Sequence, residues 1–127
     1  ELTDEWEKRE VKKGQEFAIL TDEITKAWSG YTTKQYKSLK NLKKENLRDH
    51  MSNLELVLNM LAEATTTEIS KEKKPKNFVE NKKIAKQGGT IAGNTRKEIE
   101  EKIGKKVVTN QNAKQLRENR NKEIDRE

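Results

Sequence analysis

Apolar side chains recur along this chain at helical spacing, and the breaks between them fall at residues that end helices. Phe17, Leu20, Ile24 and Trp28 stand at i, i+3, i+7 and i+11, which predicts an amphipathic helix over about Gln15 to Ser29 with Gly30 at its left-handed end. Ahead of it, Thr3 can cap a short helix through Val11 whose first turn is acidic and whose end is basic, with Gly14 closing it. Thr32 and Gln35 have the spacing of a capping box and open a third helix carrying Tyr36 and Leu39. Asn41 suits a left-handed stop, after which Leu42 begins a short basic helix. Ser52 and Glu55 form a second capping box, and Leu54, Val57, Leu58 and Leu61 then predict one apolar face on a helix running to about Ser70. Leu56 and Met60 widen that face almost to the full circumference, the pattern of a buried helix, while Thr65, Thr66 and Thr67 weaken its last turns.

The pattern thins beyond this point. Residues 71–76, with the single proline at Pro75, read as a basic linker between a helical core region, 1–70, and a C-terminal helical segment, 77–127. Asn77 and Glu80 form a third capping box for a short helix with Phe78, Val79 and Ile84. The Gly88-Gly89 pair interrupts it, and Thr90 caps a following helix in which Ile91, Thr95, Ile99 and Ile103 recur every four residues up to Gly104. Val107 and Val108 allow one short extended segment near 105–109, and Ala113, Leu116 and Ile124 are the apolar anchors of a tail that either docks as a helix or frays. The expectation is an all-α, small multi-helix domain.

Composition qualifies that domain. Only 30% of the residues are hydrophobic against 39% charged, so the core is thin and the fold is expected to be extended or completed by a second copy. The absence of cysteine removes disulfides and thiolate chemistry and suits a reducing compartment. No apolar run approaches the ~18 residues of a membrane span, and together these features place the chain in the cytoplasm. It begins at Glu1 rather than Met, as expected of a piece of a longer protein.

The net charge of +6 is laid down in blocks. Residues 31–51 carry six basic and two acidic side chains, and residues 71–106 carry twelve and five, with acidic stretches before and between them. Clustered Lys and Arg raise affinity for polyanions by releasing counterions, so Lys34, Lys37, Lys40, Lys43, Lys44 and Arg48 form one candidate surface for nucleic acid or an acidic partner. Lys82, Lys83, Lys86, Arg96, Lys97, Lys105 and Lys106 form a second.

Catalytic chemistry finds little support. His50, the only histidine, lacks the convergent ligands of a metal site and reads as a helix-end residue with local hydrogen bonds. The run from Gly88 to Gly93 lacks the spacing of a phosphate-binding loop and reads as a helix break with close packing at Gly93. Most carboxylates interleave with bases at helical spacing, Glu98 with Lys102 and Glu101 with Lys105, as surface pairs worth a few tenths of a kcal/mol. Trp28 reads as core, and Tyr31, beside Gly30 and a basic block, is the better candidate for stacking on a base. Neither a metal nor a cofactor is expected, and a metal-dependent nuclease is the weakest of the classes kept open.

Several ordered segments resemble a known family. Phe17-Ala18-Ile19-Leu20, Trp28-Ser29-Gly30, the run from Leu42 to Met51 (LKKENLRDHM), Asn53-Leu54-Glu55-Leu56 and Ala64-Thr65, then Gly88 to Gly93, Gly104 to Val108 and Asn112, are similar to the C-terminal half of the DNA-damage-inducible protein D family. They are similar also to phage antirepressor-like proteins that carry a BRO domain ahead of this region, and the likeness spans about residues 2–116. The resemblance implies a bacterial or prophage-borne regulator, with DNA binding associated with the N-terminal BRO domain and damage-inducible members linked to recombinase filaments on single-stranded DNA. It implies no catalytic residue in this region. The resulting expectation is a non-enzymatic regulatory domain that forms a homo-oligomer and contacts DNA or a DNA-bound protein. The alternative is a protein-interaction or dimerisation module without DNA binding.

Overall fold

A computed structural model describes residues 2–110, which fold into five α-helices with no strand among the described residues. The first, α1 (Leu2–Lys8), is shorter than expected: Glu10 turns left-handed at φ 62°, and the Val11 N–H closes onto the Trp6 carbonyl at 3.0 Å. Thr3 lies inside this helix rather than capping it. Gly14, at φ 83°, precedes α2 (Gln15–Ser29), which ends at Gly30 in the left-handed region as its sequence predicts. Thr32 and Gln35 form the expected reciprocal cap of α3 (Thr33–Leu39), with bonds of 3.2 and 2.9 Å.

Asn41 adopts the left-handed conformation, at φ 61°, but no helix starts at Leu42. The Leu42 N–H instead turns back to the Lys37 carbonyl at 2.8 Å, and the chain proceeds to a single 3-10 turn, Leu47–His50, capped by the Asn46 side chain. Ser52 and Glu55 then cap α4 (Asn53–Lys73). This helix continues through the threonine run to Lys73, with the Thr66 and Thr67 hydroxyls donating to the carbonyls of Ala62 and Glu63 at 2.8 and 2.9 Å. Of the segment 71–76, residues 71–73 form the last turn of α4, and the chain then connects to the next helix through Lys74, at φ 51°, and buried Pro75.

The largest departure from expectation is α5 (Phe78–Ile103), one continuous helix where the sequence suggests two. Asn77 caps it by accepting from the Glu80 N–H at 2.9 Å, while the Glu80 carboxylate accepts from the Lys76 N–H and so closes no reciprocal box. Gly104 ends it at φ 70°. Along one side of α5 run Ala85, Gly88, Gly89, Ala92 and Gly93, all buried. A Cβ at Gly88 would stand 2.8 Å from the Thr66 Cα of α4, and one at Gly93 would stand 2.5 Å from the Ala27 carbonyl oxygen of α2. The glycines are thus contact points at which α4 and α2 press their backbones onto α5, which makes α5 the central helix of the fold. The close packing read at Gly93 is present, whereas the break at Gly88-Gly89 is not.

Leu20, Ile24 and Trp28 of α2, Leu58 and Ala62 of α4, and Ala85 and Ala92 of α5 form the centre of the core. Around it α1 packs on α4 and α3 on α2. Val107 and Val108 fold back onto the core without pairing as a strand, held by the Val107 N–H donating to Glu100 at 3.0 Å. The buried side of α4 is not the expected apolar one. Glu55, Leu58, Asn59, Ala62, Thr66, Thr67 and Ser70 face inward, while Val57, Met60 and Leu61 are exposed. The reason is that the inward polar groups have partners: Asn59 accepts from the Trp28 indole at 3.2 Å, and Ser70 donates to Glu5 of α1 at 3.1 Å. Burial disfavours ionisation of Glu5, but bonds from Arg9 and Ser70 and the charges of Arg9 and Lys8 prevail and hold its carboxyl below the usual range.

Candidate functional site

The turn geometry just described divides the basic residues into buried, paired and open groups. Lys40 belongs to the first. It is 1% exposed, with its ammonium donating to Glu55 at 2.9 Å and to the Thr109 carbonyl at 3.0 Å, and it is therefore no part of a binding surface. Glu55, also 1% exposed, accepts from the Tyr36 hydroxyl and from the Ser52 N–H as well. Burial first, then the adjacent Glu55 carboxylate, push the Tyr36 phenol far above its ordinary range, so it remains a donor.

Two arginines are committed to structure. Arg96 donates through Nε to the Trp28 carbonyl at 2.7 Å and through Nη1 to Glu100 at 2.8 Å, closing the end of α2 onto α5. Arg48 pairs with Glu63 of α4. Arg96 is largely buried, whereas the Arg48 side chain, 52% exposed, stays at the surface beside its partner. Among the described residues the expected pairs Glu98–Lys102 and Glu101–Lys105 do not form, and the ion pair found on α5 is Arg96–Glu100.

The remaining lysines fall into two places. On α5, Lys82, Lys83, Lys86 and Lys97 are exposed on a side about a quarter turn from the glycines, bordering at Gly89 and Gly93 the contact with α2, with exposed Thr90 and Asn94 nearby. At 100° per residue these four lie within an arc of about 100°, and at 1.5 Å per residue they extend over about 22 Å. None of the four joins an ion pair among the described residues. Glu101 stands at the far end of the same arc, and Lys105 and Lys106 follow exposed beyond Gly104.

From the first block, Lys34, Lys37 and Lys43 surround an open groove of about 700 Å³ between α2 and α3, floored by Phe17, Ala18 and Ile19. Lys44 is exposed and does not line it. Along α2, Gln15, Ala18 and Asp22 of the groove point away from Leu20, Ile24 and Ala27, the side that meets α5. The two basic blocks consequently occupy different sides of α2 and do not merge.

The aromatic candidates differ. Trp28 is fully buried, whereas half-buried Tyr31, its ring tilted 52° to that of Tyr36 at 6.2 Å between centroids, lines an open hollow with Lys34 and Leu39. His50 is buried at the end of the 3-10 turn. Among the described residues no group of three or more His, Cys, Asp or Glu is placed to hold a metal ion, and none of their helices is long and apolar enough to cross a membrane. The sequence reading missed two features: the apolar floor of the groove, and the exposed stripe Val57, Met60, Leu61 and Ala64 on α4. The second had a signal in the polar residues Glu55, Asn59, Thr66 and Ser70, which share the other side of the same helix. Comparison of the chain with protein-family models, curated proteins and solved structures finds no match.

Proposed function

We propose that this chain is a non-enzymatic regulatory module of a bacterial cytoplasmic or prophage protein, of the DNA-damage-inducible D or antirepressor-like type, which self-associates and contacts DNA. The observation that carries the reading is the lysine face of α5. Four exposed ammonium groups without acidic partners among the described residues lie on one side of a rigid helix, over a length of about 22 Å. Such a row suits successive phosphates of a nucleic-acid backbone, where affinity comes from counterion release rather than from base contacts. Lys105 and Lys106 extend the same charge past the helix end.

A mobility assay on single- and double-stranded DNA over a series of salt concentrations tests this. The combined substitution Lys83→Ala, Lys86→Ala and Lys97→Ala is expected to weaken binding to every sequence and to lower the slope of log affinity against log salt by about 2 to 3 on duplex DNA. A slope equal to that of the unaltered protein overturns the assignment. The exposed apolar stripe of α4 supports a second reading, a protein-interaction module without DNA binding. Its signature is an absence of DNA retention at moderate salt together with stability that depends on protein concentration.

A further inference from the structure

The groove between α2 and α3 has a chemistry different from that of the α5 face. Its floor is apolar, with Ile19 38% exposed and Phe17 half-buried, and its rim carries Lys34, Lys37 and Lys43. Lys34 and Lys37 are one turn apart on α3, and the left-handed turn at Asn41 brings the chain back so that Lys43 joins them. None of the three takes part in an ion pair among the described residues. The one carboxylate at the rim, Asp22, is engaged: it accepts from the Thr33 N–H at 2.6 Å and so tethers the start of α3 to α2. The groove therefore presents cations around an apolar trough, and its volume of about 700 Å³ is large enough to seat several side chains.

We infer that this groove is a docking site for an acidic amphipathic helix of a partner protein. Charge complementarity selects the acidic face, and the trough selects apolar side chains at i, i+3 or i+4 and i+7 as anchors. A nucleic-acid backbone would satisfy the lysines but leave Ile19 and Ala18 uncovered. The Phe17 ring, the one aromatic group of the groove, packs at an angle on Trp6, 5.3 Å between centroids and tilted by 59°, and the rest of the floor, Ala18 and Ile19, is aliphatic. The site lies on the other side of α2 from the α5 lysines, so occupation of one does not block the other.

The test is fluorescence-anisotropy titration of the full chain with a labelled peptide of about 15 residues that has Leu at i, i+3, i+4 and i+7 and Glu or Asp between them. Two further peptides serve as comparisons, one with Gln and Asn for the acids and one with Ser for the leucines. The acidic amphipathic peptide is expected to bind, and each comparison peptide to bind about tenfold more weakly. The same loss is expected for the acidic peptide with Lys34→Glu, Lys37→Glu and Lys43→Glu combined, and with Ile19→Asp, whose circular dichroism should match that of the unaltered chain because Ile19 is a surface residue. Lys83→Ala, Lys86→Ala and Lys97→Ala should leave peptide binding unchanged, which separates this site from the proposed DNA contact. No binding of the acidic peptide at about 1 mM, equal binding of all three peptides, or a single-stranded oligonucleotide that binds through the groove lysines and displaces the peptide would each overturn the inference.

Discussion

Glu55 acts twice at the start of α4. As the third residue of the helix it returns a bond to the Ser52 N–H, and as a buried carboxylate it takes Lys40 at 2.9 Å and the Tyr36 hydroxyl. The first role was legible because a capping box is local, Ser52 and Glu55 being three apart. The second was not, because Lys40 and Tyr36 are fifteen and nineteen residues away and in sequence look like members of a basic, partly aromatic surface. Removing one partner of a buried ion pair strands the other in a poorly hydrating environment, whereas removing both leaves less to satisfy. Lys40→Met is therefore expected to lower unfolding free energy by about 3–5 kcal/mol in chemical denaturation. Lys40→Met with Glu55→Gln should cost less than the two single substitutions added together, and strict additivity would show that the pair is not coupled.

At the scale of elements, α2 and the caps of α3 and α4 are legible because they rest on 3.6-residue periodicity and on three-residue spacings. The run of α5 through Gly88-Gly89 is not, because glycine weakens an isolated helix and only the neighbouring helices reverse that preference. In a solvated helix glycine to alanine gains about 0.5–1 kcal/mol. Here the sign is expected to invert. A Cβ at Gly89 meets the Ala27 Cβ at 2.6 Å and the Ile24 carbonyl oxygen at 2.8 Å, and those at Gly88 and Gly93 also meet backbone atoms. Backbone cannot swing aside as a side-chain end can. Gly88→Ala, Gly89→Ala and Gly93→Ala should each destabilise by about 1–3 kcal/mol, read as a fall in thermal midpoint, by overpacking. Exposed Thr90, in the same helix, supplies the contrast: Thr90→Ala should stay within about 0.5 kcal/mol of the unaltered protein.

For the whole molecule, the composition promised too few apolar residues for a generous core, and the fold meets that shortage by spending polar groups inside and leaving apolar ones outside. Trp28 with Asn59, Lys40 with Glu55 and Ser70 with Glu5 fill interior positions, while Val57, Met60 and Leu61 are 58%, 61% and 37% exposed. Hydropathy alone could not tell the two sides of α4 apart, because the partners of its polar side lie on α1, α2, α3 and the segment joining α3 to α4. Val57, Met60, Leu61 and Ala64 form a continuous stripe at i, i+3, i+4 and i+7 on one side of α4. In an antiparallel pairing of two such helices centred between Met60 and Leu61, Val57 of each copy meets Ala64 of the other, so the stripe is complementary to itself about a two-fold axis. The self-association proposed above would, through this stripe, link folding to concentration, and the thermal midpoint should then rise as the protein is concentrated. Met60→Lys with Leu61→Lys should abolish that rise and give a monomer by sedimentation. The midpoint in dilute solution should hardly change, since neither side chain is in the core. A midpoint independent of concentration in the unaltered chain would remove self-association from the proposed function and leave the DNA contact of α5 to be judged by its salt slope.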